Sequence, residues 1–137
     1  MGLPQPPEAR LYYRAGKQRF DDAQLLLREE RTTGGVYLAG YTVECLLKAV
    51  LLARTPVSRQ RRVWDSFRGR AGHNLDSLRY AVSRVGVSLP EECQRHFVRV
   101  SSWTTDLRYY AGSKKRADAQ KFLESAGVLI EWLERRL

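Results

Sequence analysis

An all-α bundle of four to five helices is the fold class that this sequence predicts. Three observations lead there: a central stretch apolar on nearly every helical face, flanking segments whose apolar residues return every three or four positions, and no alternating strand pattern. One domain is the natural count for 137 residues, and that length buries a core without cross-links.

The opening MGLPQPPEAR has no apolar run of signal-peptide length, and its prolines read as a disordered leader over residues 1–7, ahead of a single helical domain over 8–137. From Glu8 to about Arg31, Ala9, Tyr12, Tyr13, Gly16, Phe20, Ala23, Leu26 and Leu27 mark an amphipathic first helix, with Pro7 suited to its first turn. Thr32 to Gly35 is expected to be a tight turn, so that the first two helices form an antiparallel hairpin.

The second helix, GVYLAGYTVECLLKAVLLAR from Gly35 to Arg54, is the one around which the rest is organised. It is barely long enough to cross a bilayer, and Glu44 and Lys48 near its middle would each cost about 2.5–3.5 kcal/mol there, so it reads as a core helix and not a membrane span. Four residues apart, Glu44 and Lys48 share a face and can pair; Tyr41, Gly40 and Tyr37 continue that stripe. Two roles stay open for it: a partly exposed structural ion pair, or the wall of a dimer groove or ligand cleft that holds a cation from another helix.

Thr55 to Gly72 loses periodicity and is expected to be irregular, with one short helical turn around Trp64 and Phe67. A third helix starts at His73 or Asn74, with Asn74 the better cap, and runs through Leu75, Leu78, Ala81, Val82 and Val85 to Gly86. Ser88 to Glu91 reads as a capping box opening a fourth helix through Cys93, Phe97, Val100 and Trp103. The last helix, from about Ser113, places Ala119, Phe122, Leu123, Ala126, Leu129, Ile130, Leu133 and Leu137 on one face. Its basic start opposes the helix dipole, which points to a partner for those charges.

The net charge of +9 is clustered: residues 54–70 carry six arginines against Asp65, and residues 95–116 carry six basic side chains against Asp106. Such segments attract polyanions, RNA first among them, or else simply point into water. Cys45 and Cys93 fall in apolar helical patterns and make neither a disulfide framework nor a zinc spacing, which fits a reducing, cytoplasmic setting.

YLAGYTVECLLKAVL in the second helix, GHNLDSL at the start of the third, LRYY after the fourth and AQKFLESAGVLIEWLERRL at the end together resemble the HEPN family (higher eukaryotes and prokaryotes nucleotide-binding), in its small stand-alone prokaryotic type, over Glu8 to Leu137. The resemblance implies an up-and-down antiparallel bundle, a homodimer, and a nucleotide or RNA ligand. It also implies a minimal nucleotidyltransferase as partner in a toxin–antitoxin pair. No cofactor and no metal follow from it.

The nuclease branch of that family uses an arginine, a polar residue and, a few residues on, a histidine. Two copies meet across the dimer interface and cleave RNA without metal. Arg108 followed by Tyr109 resembles the arginine position, but no histidine follows Arg108; the last is His96. Arg68 to His73 has a matching spacing in the wrong place, with Gly69 where the polar residue belongs.

The expectation is therefore a non-catalytic HEPN-like homodimer that binds phosphate in a basic cleft. Arg108 contacts phosphate, Tyr109 or Tyr110 offers a stacking surface, Glu44 orients Arg108, and Lys48 adds charge. Arg61, Arg62, Lys114, Lys115 and Arg116 contact the RNA backbone. The alternatives are a plain Arg108–Glu44 ion pair tying two helices, a metal-independent endoribonuclease whose base is His73 or Tyr109, and a pure interaction module.

Overall fold

The computed structural model describes residues 5–137, so residues 1–4 of the expected leader lie outside the described residues. Among the described residues six α-helices follow in order: α1 (Pro7–Arg28), α2 (Thr32–Arg54), α3 (Val57–Ser66), α4 (Leu75–Arg84), α5 (Glu91–Val100) and α6 (Arg116–Glu134). Two 3₁₀ turns, Arg70–His73 and Thr105–Tyr109, precede α4 and α6, and the described residues contain no strand. The all-α expectation holds, with more helices than the four to five expected.

The three long helices set the frame. Gly35 of α2 lies against Ala23 of α1, and the Thr42 hydroxyl reaches the Gly16 carbonyl at 3.1 Å, so α1 and α2 run antiparallel. On α6, Gly127 faces Phe20, and Glu134 accepts a hydrogen bond from the Tyr13 hydroxyl and lies 3.4 Å from the Lys17 ammonium, so α6 is also antiparallel to α1. Thr32 meets Lys114 at one end of α2 and Arg54 meets Arg136 at the other, which makes α2 and α6 parallel. Between them α2 is buried on almost every face, with Val43, Leu46, Leu47 and Val50 in the core. It is the one described helix long and apolar enough to cross a membrane, and it is spent inside the bundle.

Several boundaries differ from the sequence reading. The turn is Glu29 to Arg31, with Glu30 at φ +61°, and α2 already begins at Thr32. Thr32 and Thr33 are pinned by their hydroxyls to the Lys114 and Gly112 carbonyls, while Gly34 and Gly35 let α1 approach: a Cβ at Gly35 would stand 3.3 Å from the Ala23 carbonyl oxygen. The supposedly irregular segment contains α3, which lays Val63 and Trp64 on the core while its arginines face water. Asn74 caps α4 as expected, its Oδ1 accepting from the Ser77 amide at 2.9 Å. Ser88 caps nothing: Pro90 occupies the cap position and Glu91 is the first helical residue, two positions short of capping-box geometry. Lys114 and Lys115 precede α6, and Asp118 in its first turn suits the dipole.

Trp103 lies beyond α5, buried on α2, where its Nε1 donates to the Tyr37 carbonyl at 3.0 Å and its ring stacks on that of Tyr37. Gly40 makes this possible, because a Cβ there would come within 2.2 Å of the indole. Gly40→Ala is therefore expected to destabilise the bundle by about 1–3 kcal/mol through overpacking. Gly127→Ala, whose Cβ would meet Phe20 at an ordinary 3.5 Å, should gain about 0.5–1 kcal/mol from helix propensity. Urea denaturation of both variants decides; equal effects would refute the packing argument.

Three acids in this core resist ionisation. The bond to Glu134 pushes Tyr13 up to about 12, the neighbouring Cys45 and burial push Tyr41 up to about 12, and burial pushes the Cys45 thiol up to about 12. Groups raised on folding stabilise below their unfolded values, 9.0 for the thiol and 10.0 for the tyrosines, and lose that contribution as pH climbs through the folded ones. Stability by chemical denaturation should thus fall between about pH 9 and pH 12, less steeply in Tyr13→Phe; a slope identical in that variant would remove Tyr13 from the account.

Candidate functional site

The charged pair on the polar stripe of α2 is buried, while Tyr37 and Tyr41 of the same stripe are half-buried. Glu44 and Lys48 are 1% and 3% exposed, and one carboxylate oxygen of Glu44 takes the Lys48 ammonium at 2.9 Å. The ammonium also stands 5.3 Å from the centre of the Tyr12 ring and 5.1 Å from that of Phe67, so its remaining surroundings are aromatic faces. The other carboxylate oxygen lies 3.1 Å from Nδ1 of His73, an exposed side chain at the end of the first 3₁₀ turn. Gly72 allows that approach, because a Cβ there would collide with the Phe67 carbonyl at 1.9 Å.

A carboxylate only accepts hydrogen bonds, so Nδ1 is the donor in this contact, and Nε2 is the ring nitrogen turned away from Glu44. His73 lines a cleft of about 430 Å³ together with Arg70, Asn74, Thr105, Asp106 and Arg108. Two guanidinium groups and an oriented imidazole thus share one opening, built from the segment before α4 and the segment after α5. Arg108 is exposed, its Nε donates to the Thr105 carbonyl at 3.0 Å, and its guanidinium lies over its neighbour Tyr109 at 5.4 Å. That geometry leaves the terminal nitrogens of Arg108 for a ligand.

Against these positions the sequence reading needs two corrections. Glu44 does not orient Arg108 and forms no ion pair with it: Lys48 and His73 fill both of its oxygens. Lys48 does not add charge to the cleft, since the ion pair and two rings enclose it. The residues expected to contact the RNA backbone lie in two separate groups, outside the cleft. Arg61 and Arg62 are exposed on α3, with Arg61 3.5 Å from Asp65 and beside Leu52, whereas Lys114, Lys115 and Arg116 sit by the N-terminus of α2, where Arg116 meets Glu30 at 3.3 Å. Those levels of α2, Thr32 and Leu52, are about 30 Å apart at 1.5 Å per residue.

Tyr109 faces water and Tyr110 lines a neighbouring cavity. His96 is half-buried between α5 and α6, 2.9 Å from the Ser125 hydroxyl. Arg70 was missed; its only signal is its place three residues before His73 in a glycine-punctuated turn. Of the spacing match Arg68 to His73, only His73 lines the cleft.

The family model for the HEPN domain matches residues 9–136, nearly the whole chain. The chain belongs to the HEPN family. Membership makes the all-α fold a family property and gives the protein a nucleotide- or RNA-related role. No curated protein and no solved structure matches it. The HEPN fold here brings His73 and Arg108 to one cleft although 34 residues of chain separate them.

The buried pair is what holds His73. Glu44→Gln leaves Lys48 charged without a counter-ion and is expected to cost about 3–5 kcal/mol in urea denaturation. Glu44→Gln combined with Lys48→Met removes the orphaned charge and should recover most of that loss. If the double variant is no more stable than the single one, the charge balance is not what matters at this position.

Proposed function

We propose that the cleft of Arg70, His73 and Arg108 binds the phosphate of a nucleotide or of RNA. The single observation that carries this reading is the convergence of two arginines, neither in an ion pair among the described residues, and one oriented histidine on one opening whose single acid is Asp106. Guanidinium groups suit phosphate because their paired N–H donors match two oxygens at once. Family membership agrees in direction.

A second reading is favoured by the Glu44–His73 contact. A histidine whose tautomer is fixed by a buried carboxylate presents Nε2 as a base, as in other base–orienter pairs. In metal-independent RNA cleavage, Nε2 would take the 2′-hydroxyl proton as that oxygen attacks phosphorus. The P–O5′ bond breaks to leave a 2′,3′-cyclic phosphate, a proton goes to the departing oxygen, and Arg108 stabilises the phosphorane charge.

Gel-shift titration of labelled RNA in excess EDTA tests both readings. Binding is expected to weaken with salt, and Arg70→Ala or Arg108→Ala should each lower the salt slope by about 0.7. Binding unchanged by either variant would overturn the phosphate site. Cleavage products that vanish in His73→Ala while binding persists would establish the second reading; intact RNA across the pH range would exclude it.

A further inference from the structure

We propose that the cavity beside the arginine cleft is a nucleobase pocket that prefers guanine. The inference rests on the reading of the cleft as a phosphate site and adds which nucleotide it takes. The cavity holds about 360 Å³ and is mostly apolar, with Val36, Leu107, Tyr110 and Phe122 among its walls. Small-molecule sites have this character: an apolar chamber of a few hundred Å³ with few polar groups at fixed places.

Trp103, Thr104 and Asp106 line both this cavity and the cleft, so the two openings adjoin across one shared wall. A phosphate and a flat ring joined by a sugar is the ligand class with that shape. The rim also carries three charged groups: Asp106, Asp118 and Lys114. Neither aspartate side chain has a hydrogen-bond or ion-pair partner among the described residues, and the Lys114 ammonium hovers 5.4 Å from the centre of the Tyr110 ring.

Carboxylates offer only acceptors and an ammonium only donors. Guanine presents two adjacent donors, N1–H and the 2-amino group, next to the O6 acceptor, and so satisfies both kinds of group. Adenine and cytosine offer a single amino group beside an acceptor, and uracil a lone N3–H between two acceptors. The half-exposed Tyr110 ring provides a face for stacking. Asp118 lines this cavity and not the cleft, so it reads the base without touching the phosphate.

The test is calorimetric titration of the full chain with GMP, AMP, UMP, CMP and inorganic phosphate, using wild type, Asp118→Asn, Asp106→Asn and Arg108→Ala. GMP is expected to bind about tenfold more tightly than UMP or CMP. Asp118→Asn should remove the preference, bringing GMP down toward the UMP level, and leave inorganic phosphate unchanged. Arg108→Ala should weaken all five ligands alike. Asp106→Asn provides a second route to the loss of guanine preference if Asp118→Asn unfolds, which a melting curve reports; because Asp106 also lines the cleft, its nucleotide affinities are read relative to its own phosphate affinity. Equal affinities for the four nucleotides, or a guanine preference that survives both aspartate variants, would overturn the base pocket and leave the phosphate cleft standing. No binding of any nucleotide or of phosphate would overturn both.

Discussion

Glu44 and Lys48 are held at 2.9 Å on the one helix that the rest of the bundle encloses. Withdrawing two charges from water costs several kcal/mol per ion unless their remaining valences are met. Their surroundings answer that demand from three parts of the chain: Tyr12 from α1, Phe67 from the end of α3, and His73 from the turn before α4. The turn Arg70–His73 contributes little apolar burial of its own, Gly72 being its one buried residue, so the His73 contact adds a polar tie to the apolar anchors Phe67 and Leu75 on either side of it. The cleft therefore borders the buried ion pair directly through His73.

Successive turns of α2 act as a scale for what packs on it. Gly40 receives Trp103, Glu44 meets His73, Lys48 lies against Phe67, and Leu52 borders Trp64, each step being four residues or about 6 Å. Two segments remote in sequence dock at adjacent marks on that scale, one ending at His73 and the other carrying Trp103 and Arg108. The cleft is the gap left between them, and α4 and α5 are the detour the chain takes from one side of the gap to the other.

What could be read from the sequence was local. The apolar α2, the hairpin partner α1, the Asn74 cap and the Glu44–Lys48 pairing all follow from spacings of three or four residues within one helix. What could not be read depended on other segments. Helix α3 is so rich in arginine that its apolar content reduces to Val57, Val63 and Trp64, and only the core beneath Val63 and Trp64 makes it a helix worth forming. Gly34 and Gly35 looked like a turn because glycine's absent side chain serves close helix packing as well as it serves backbone freedom. The Glu44–His73 contact spans 29 residues and leaves no periodic trace. The expectation that Glu44 orients Arg108 failed for the same reason, because the partners of Glu44, Lys48 and His73, come from its own helix and from a turn remote from Arg108.

That mismatch bears on chemistry. Had Glu44 paired with Arg108, the guanidinium would have met its counter-charge within the protein, and an incoming anion would have had to displace it. In the fold as it stands, Nε of Arg108 is steadied by the Thr105 carbonyl and the guanidinium by the Tyr109 ring, contacts that restrain the side chain while leaving its full positive charge. Restraint without neutralisation is what an anion-binding arginine needs, because the rotamer entropy is lost before the ligand arrives and the Coulombic attraction is still to be gained. Glu44 meanwhile spends its charge on Lys48 and its geometry on His73. One buried acid orients the histidine, one backbone carbonyl orients the arginine, and the cleft keeps a net positive charge although Asp106 shares its wall.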